Sequence, residues 1–367
     1  MGNAMDFLEI SAISAGKDQT LALLTSGEVL GWGGAGSGRL VPPFKDICGA
    51  FKESDPRPVY VSAPSLYSHI SAGYGVSLGI SDQKPFAWGF SQTGMGGHEP
   101  ISEAPSALAQ VASASKIAAG QCLFGLIDEV GGLHTWGLNV DGALGRKTGQ
   151  INASPAPISG IPPMQDVFIG DCFMLTLSDD QKVYAWGSNS SGQLGLGHLK
   201  SISNPELVEL SPNIKRLAVG STHVLALTED GEVYGWGSNH FNQSGDTTSS
   251  FINRPRKIGF SEAIAEISAG MHYSLALASS GKVYAWGWNG MGQLGLGDHQ
   301  TRSRPVAIPD LSGIRAIAAG EMHAVALGKS HLFGWGSNAS NQIGKADLCQ
   351  MSPNPFLDIR SRARSRL

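Results

Sequence analysis

Residues 266–297 read Glu266-Ile-Ser-Ala-Gly270, then Ser274-Leu-Ala-Leu-Ala278, Lys282-Val-Tyr-Ala-Trp286-Gly287 and Gly292-Gln-Leu-Gly-Leu-Gly297. The apolar runs are four to six residues long, and Ser-Gly and Asn-Gly pairs separate them. Short runs bounded by turn residues are typical of antiparallel strands joined by tight turns. Because no helical period of 3.6 residues is sustained, the unit is predicted to be all-β.

The same unit recurs seven times, and two markers keep its phase. A Trp-Gly pair marks each repeat, at Trp32, Trp88, Trp136, Trp186, Trp236, Trp286 and Trp335. A second pair, usually Ala-Gly, stands about 16 or 17 residues earlier and ends at Gly16, Gly73, Gly120, Gly170, Gly220, Gly270 and Gly320. A period near 50 residues indicates a repeat architecture, since each unit can bury its apolar faces only against its neighbours.

Seven units of three or four short strands are predicted to form the blades of a seven-bladed β-propeller. An open solenoid is the alternative, but neither end of the chain carries an obvious polar cap. Closure is expected where Phe7-Leu-Glu-Ile10 pairs with Asn354-Pro-Phe-Leu-Asp358. The predicted organisation is an N-terminal segment at 1–7, one propeller at 8–358 and an arginine-rich tail at 359–367.

The composition narrows the possible partners. Charged residues make up 15% of the chain and the formal net charge is −4, which disfavours specific nucleic-acid binding through phosphates. The four cysteines show no CxxC spacing and no signal peptide is evident, which favours a cytoplasmic or nuclear setting. No apolar run approaches membrane length, and a monomer is expected.

The repeats resemble those of the RCC1-like repeat family, in which Ala-Gly, His-Ser, Asp-Gly, Trp-Gly and Gly-Gln-Leu-Gly-Leu-Gly follow one another. The resemblance covers about residues 8 to 358 and is strongest around Trp186 and Trp286. It implies a propeller whose loops after Ala-Gly open on one face near the axis. In the exchange-factor branch, which includes the nucleotide exchange factor for the GTPase Ran, acidic and histidine residues in these loops engage the GTPase. The resemblance gives such roles to Asp18, Asp171, Glu321, His223 and His323, although the histidines have a purely structural interpretation as well.

Other candidate contact residues come from departures from the repeat. Tyr74, His272 and Tyr273 lie in the same loops, and Trp288 is the one tryptophan outside the repeat phase. Trp288 is interpreted either as an interface anchor or as cover for a blade edge. A longer interval between Trp32 and Ala72 contains Phe44 and Phe51, which fits either a partner-binding loop or a tolerated insertion.

The sequence contains no P-loop, GxGxxG, HExxH or GxSxG motif, so no covalent catalysis and no cofactor are expected. A metal site is not expected either, because His223 and His272 lack a third ligand. The favoured function is a protein-interaction platform or regulator that uses the loop face after Ala-Gly. The alternatives are a guanine nucleotide exchange factor for a Ran-like small GTPase and a propeller that inhibits an enzyme. Inhibition requires a cluster of aromatic residues on one face, drawn from Tyr74, Phe124, Phe173 and Tyr273.

Overall fold

The computed structural model describes residues 8–34, 58–61, 66–89, 105–149, 152–210, 213–344 and 349–359. Over these ranges it contains 28 β-strands and one short 3₁₀ turn, Val140–Gly142. The strands form seven four-stranded sheets, and every strand pair is antiparallel. The prediction of an all-β, seven-bladed propeller is confirmed.

Each blade consists of four consecutive strands, numbered here in chain order. Blades 1 to 3 contain β1 Ile10–Ala15, β2 Gln19–Leu24, β3 Val29–Gly33 and β4 Val59–Tyr60; β5 His69–Ala72, β6 Val76–Ser81, β7 Lys84–Gly89 and β8 Ser106–Ala107; β9 Lys116–Ala119, β10 Leu123–Ile127, β11 Leu133–Leu138 and β12 Asn152–Pro157. Blades 4 and 5 contain β13 Met164–Ile169, β14 Phe173–Ser178, β15 Val183–Gly187 and β16 Ile202–Leu207; β17 Ile214–Val219, β18 His223–Thr228, β19 Val233–Ser238 and β20 Phe251–Ile258. Blades 6 and 7 contain β21 Ile264–Ala269, β22 Tyr273–Ala278, β23 Val283–Gly287 and β24 Arg302–Ala307; β25 Ala316–Ala319, β26 His323–Leu327, β27 His331–Ser337 and β28 Cys349–Asp358.

The first strand of every blade lines the propeller axis, and the four strands follow one another outward in sequence order. First strands of neighbouring blades contact each other all the way round, including β25 of blade 7 with β1 of blade 1. The ring is therefore closed, and the open solenoid is wrong.

The chain ends meet at the interface between blades 7 and 1. The amide of Leu8 donates to the carbonyl oxygen of Ile359 at 3.1 Å, and both side chains are buried in one apolar cluster with Ile10 and Leu357. The predicted pairing of the terminal segments takes this form. It is not a strand ladder, because β1 stays in the sheet of blade 1 and β28 in that of blade 7.

The tight turns explain the recurrent glycine between the second and third strands. In blade 6 the amide of Gly281 donates to the carbonyl of Ala278 at 2.9 Å, and the amide of Ala278 donates to Lys282 at 2.8 Å. This geometry places Gly281 at a φ of +85°, a backbone conformation that residues with a Cβ atom rarely adopt. Gly231 occupies the same place in blade 5.

The core is divided among the seven interfaces between blades. Each interface contains one apolar cluster, and each cluster includes the Trp of one Trp-Gly pair, fully buried. The indole of Trp236 also donates to the backbone oxygen of Gln193 in the preceding blade at 3.0 Å, and Trp286 and Trp335 repeat this contact with Gln243 and Gln293. The repeat marker therefore joins blades both by packing and by a hydrogen bond.

Candidate functional site: the axial mouth

Two sets of loops share one face of the propeller. The start of each second strand pairs with the end of the third, as in Tyr273 with Gly287, so the loops after Ala-Gly and after Trp-Gly emerge together. We call this the mouth face. At its centre the residues directly after the seven glycines surround the axial opening, and we call them the mouth ring: Lys17, Tyr74, Gln121, Asp171, Ser221, Met271 and Glu321.

Glycine is required at the axis because neighbouring blades approach very closely there. A Cβ atom on Gly16 would lie 2.3 Å from the carbonyl oxygen of Gly73, and one on Gly320 would lie 2.5 Å from that of Gly16. Backbone hydrogen bonds cross the same seams, including Glu321 N to Gly16 O at 3.1 Å. The backbone of the mouth is therefore fixed by the repeat, while the ring side chains vary from blade to blade.

Tyr74 joins three blades at the mouth. Its hydroxyl hydrogen-bonds with the carboxylate of Glu321 in blade 7, and the ammonium of Lys17 in blade 1 lies 4.4 Å from the centre of its ring. Burial raises the pKa of Tyr74 well above its usual range, and the hydrogen bond to Glu321 and the charges of Asp171 and Asp18 act in the same direction. Tyr74 therefore stays protonated and can donate a hydrogen bond at neutral pH.

Two carboxylates from opposite sides of the ring, Asp171 and Glu321, face the axial opening. Burial raises the pKa of Asp171, and the charge of Glu321 raises it further against the hydrogen bond from the Ser221 side chain. Asp18 lies one residue beyond the ring and is half-buried. With Lys17 as the one basic member of the ring, the centre of the mouth face carries an excess of negative charge.

Three predicted contact residues lie inside the propeller instead. His223, Tyr273 and His323 are fully buried, so the expectation that they touch a partner is wrong. His223 Nε2 lies 2.9 Å from the Ser274 hydroxyl, and His323 Nε2 lies 2.9 Å from that of Thr20. The structural interpretation of the two histidines is therefore correct: each links its blade to the next one.

Tyr273 has the same linking role. Its hydroxyl donates to the backbone oxygens of His323 and Gly320 in blade 7. Phe124 and Phe173 are also fully buried, which leaves Tyr74 as the one partly exposed aromatic residue of the four that inhibition required. The aromatic cluster expected for an inhibitory cap is therefore not formed.

A second aromatic group lies on the mouth face between blades 5 and 6. His272 and Trp288 are half-buried, with ring centres 6.4 Å apart, and Phe241 packs against both at 5.3 and 6.1 Å. Sequence reasoning missed Phe241, although it follows Trp236-Gly in the loop that precedes the blade of Trp288. Trp288 thus packs against Phe241 and His272 on one side, and part of its indole remains accessible to solvent.

The remaining predicted contact residues and the C-terminal tail cannot be placed on the mouth face. Phe44, Phe51 and the arginine-rich tail from residue 360 onward lie outside the described residues. Within the described ranges, no three His, Cys, Asp or Glu side chains come together as a metal site requires. In the same ranges no helix has the length and apolarity needed to cross a membrane.

The fold is that of a repeat propeller. Its backbone is the same in every blade, whereas the side chains of the mouth ring differ from blade to blade. The RCC1-like domain family model matches residues 97–364, and the chain belongs to that family. No curated protein matches the chain.

Solved structures share the architecture over almost the whole chain. Human WBSCR16 is 25% identical with a TM-score of 0.80, covering 90% of this chain and 94% of its own. Prp20p of Saccharomyces cerevisiae, described with its binding to Gsp1p and histones, is 20% identical with a TM-score of 0.76, covering 98% and 90%. Yeast RCC1 (Prp20) bound to Kap60 is 20% identical with a TM-score of 0.75, covering 96% and 85%. At 20% identity the two yeast structures establish the fold alone.

Proposed function

We propose that this chain is a protein-binding propeller that docks a partner on its mouth face. The observation that carries the proposal is the mouth ring, where seven equivalent positions on a rigid backbone hold seven different side chains. Loops on a rigid scaffold are where binding residues concentrate. The binding of Prp20p to Gsp1p and histones supports a protein partner for a propeller of this architecture.

Charge and aromatic content indicate how the partner is held. Asp171 and Glu321 attract basic groups, and electrostatic complementarity of this kind increases the association rate and the specificity. The accessible edge of Trp288 lies on the same face, and tryptophan is the residue type most often found to dominate binding energy at interfaces. The proposed footprint runs from Glu321 and Tyr74 across Asp171 to Trp288 and His272.

Nucleotide exchange on a small GTPase is the second candidate. Asp171 and Glu321 are acidic residues at positions that the family resemblance gives to GTPase contacts, and they are accessible at the mouth. Exchange needs no covalent chemistry, because a factor that binds the nucleotide-free GTPase more tightly than the loaded form shifts the equilibrium toward release. His223 and His323 take no part in this candidate, since both are buried.

The test is quantitative affinity capture with the intact chain from its native lysate. One arm contains Mg²⁺ and GDP, and the other contains EDTA. The proposal predicts a partner whose recovery falls at least about tenfold with Asp171→Asn/Glu321→Gln, which corresponds to ~1.4 kcal/mol. The matched control is Asp180→Asn on an exposed turn of blade 4 at the opposite face.

The arms separate the two candidates. A GTPase recovered in the EDTA arm alone, and lost in the double variant, supports exchange, which a nucleotide-release assay then measures directly. One partner recovered equally in both arms, and lost in the double variant, supports the platform. Capture that is unchanged by the double variant contradicts a binding site at the mouth ring.

A further inference from the structure

A second cavity, of about 400 Å³, lies along the propeller axis beyond the mouth. First strands of blades 1 to 5 line it, and we call it the axial chamber. Ala119, Ile169 and Val219 line both the mouth and the chamber, so the two cavities adjoin along the axis.

Ionisable side chains occupy one repeat position in the chamber wall. The residue four places before the axial glycine is ionisable in five consecutive blades, and four of these residues line the chamber: His69, Lys116, Asp166 and Arg216. The fifth, Glu266, lies outside the lining and accepts a hydrogen bond from the amide of Ile317 at 3.2 Å. The first strands run in the same direction and in the same register, so these residues share one level of the channel. That level lies about 13 Å from the axial glycines, at roughly 3.3 Å per residue.

The two cations of this level have no close counterion. Neither the Lys116 ammonium nor the Arg216 guanidinium forms an ion pair or a hydrogen bond with any of the described residues, although the charge of Arg216 also acts on Glu266. Asp166 lies in the blade between them and accepts a hydrogen bond from the amide of Val167 at 2.9 Å. Burial raises the pKa of Asp166, against the influence of Arg216 and Lys116. The charges therefore affect one another without direct pairing.

Serine hydroxyls add further donors to the wall. Ser14 Oγ accepts the amide of Ala72 at 2.9 Å, and Ser71 Oγ accepts that of Ala119 at 3.1 Å. Since each oxygen is used as an acceptor, its hydroxyl hydrogen is available to donate. Both serines line the chamber with Lys116 and Arg216, so donors outnumber the single carboxylate of Asp166.

We propose that the axial chamber binds inorganic phosphate as the monohydrogen dianion. Three phosphate oxygens accept from Lys116, Arg216 and the serine hydroxyls, in the charge-assisted bonds that are the strongest available to a protein. The remaining P–OH group donates to Asp166. Sulfate has the same shape and charge but no proton to donate, so Asp166 repels it. The chamber is thereby expected to prefer phosphate to sulfate.

Isothermal titration calorimetry of the full chain with sodium phosphate and with sodium sulfate tests the proposal. Phosphate is expected to bind at least about tenfold more tightly than sulfate. The hydrogen bond from its P–OH group to the charged carboxylate of Asp166 is expected to contribute at least about a tenfold gain in affinity. Lys116→Met/Arg216→Met is expected to abolish binding of both ions. Lys116→Arg/Arg216→Lys keeps both charges and is expected to retain binding.

Asp166→Asn gives the sharpest readout, because an amide can donate to sulfate where a carboxylate cannot. This variant is expected to remove the preference for phosphate and to bind sulfate more tightly than the unmodified chain does. Lys182→Met outside the channel and Glu321→Gln at the mouth are expected to leave both titrations unchanged, which keeps this test separate from the function proposed for the mouth. The proposal is overturned by the absence of phosphate binding, by binding that survives in Lys116→Met/Arg216→Met, or by equal affinity for the two ions in the unmodified chain.

Discussion

Six of the seven interfaces between blades are of two kinds, and the seventh, between blades 6 and 7, sets Tyr273 against Ala324. All seven are built at the same repeat positions. At each interface the third residue after an axial glycine faces the fourth residue after the glycine of the next blade. Between blades 5 and 6, 7 and 1, and 1 and 2 the facing pairs are polar: His223 with Ser274, His323 with Thr20 and Gln19 with Ser77. Between blades 2 and 3, 3 and 4, and 4 and 5 the facing pairs are apolar: Val76 with Phe124, Leu123 with Met174 and Phe173 with Val224.

In these six interfaces polarity is matched within each pair and varies between pairs. Between blades 6 and 7 the Tyr273 hydroxyl is satisfied by backbone oxygens instead, so the facing residue can be alanine. A buried hydroxyl needs a partner, and a buried ring needs contact surface. Either kind of pair joins the blades when both of its side chains are polar or both are apolar. Breaking the match should therefore cost more than changing both members together.

The largest expected effect comes from an apolar interface. Phe173→Ala removes a fully buried ring and leaves a cavity between blades 4 and 5, so we expect a loss of about 3–5 kcal/mol in the free energy of unfolding. Urea denaturation followed by tryptophan fluorescence measures it. Phe173→Leu is the control, with a smaller loss expected. A loss below about 1 kcal/mol in Phe173→Ala would show that this interface does not carry the stability assigned to it.

The matching itself is tested by converting this pair into the other kind. Phe173→His alone buries an imidazole against Val224, whereas Phe173→His/Val224→Ser rebuilds the pair found between His223 and Ser274. The second change is expected to recover at least about 1 kcal/mol of the loss, measured as a double-mutant coupling energy. Additive losses would contradict the matching.

Much of this fold is predictable from the sequence because it repeats. The spacing of Trp32 to Trp335 gives the number of blades, and the axial glycines give the position of the mouth. The burial of His223 and His323 is not predictable from one repeat, since the partner of each lies in the next blade. The ionisable residues from His69 to Glu266 stand at one repeat position in the sequence. That they share one level of the channel follows only from the common register of the first strands, which the structure shows.

Acidification should weaken the polar interfaces selectively. Burial lowers the pKa of His223 and His323 to about 3, against an ordinary 6.5, so the folded chain holds both imidazoles neutral. The unfolded chain binds more protons between pH 6.5 and 3, and stability therefore rises with pH across this window. Between pH 7.5 and 5.5 the two histidines together are expected to remove about 3 kcal/mol.

Thermal or urea unfolding at a series of pH values measures this slope. Burial raises the pKa of Asp166, Asp171 and Glu266, which acts in the opposite direction. Because that contribution is common to all variants, His223→Gln/His323→Gln isolates the imidazoles, and a shallower slope is expected in this variant. Identical slopes would show that the histidines do not titrate on unfolding.

A smaller effect is expected where one hydroxyl is removed from a polar pair. Thr20→Val takes away the group that lies 2.9 Å from His323 Nε2 and donates to the carbonyl of Gln342 at 2.9 Å, so about 1–2 kcal/mol should be lost. Thr176→Val is a matched control, because Thr176 is equally buried and its hydroxyl finds no partner among the described residues. The control should be neutral or slightly stabilising, and equal losses in both variants would contradict the assignment.

The smallest effect on stability is expected at the mouth ring. Tyr74→Phe removes the hydrogen bond to Glu321 but keeps the ring beneath the ammonium of Lys17, so the free energy of unfolding should change by less than about 0.5 kcal/mol. Calorimetric unfolding measures this, and recovery of the captured partner is measured on the same preparation. Recovery should fall, because Glu321 loses the donor that orients it. A large loss of stability would instead place Tyr74 among the groups that hold the blades together, and the separation between a scaffold of matched pairs and a freely varying ring would fail at this position.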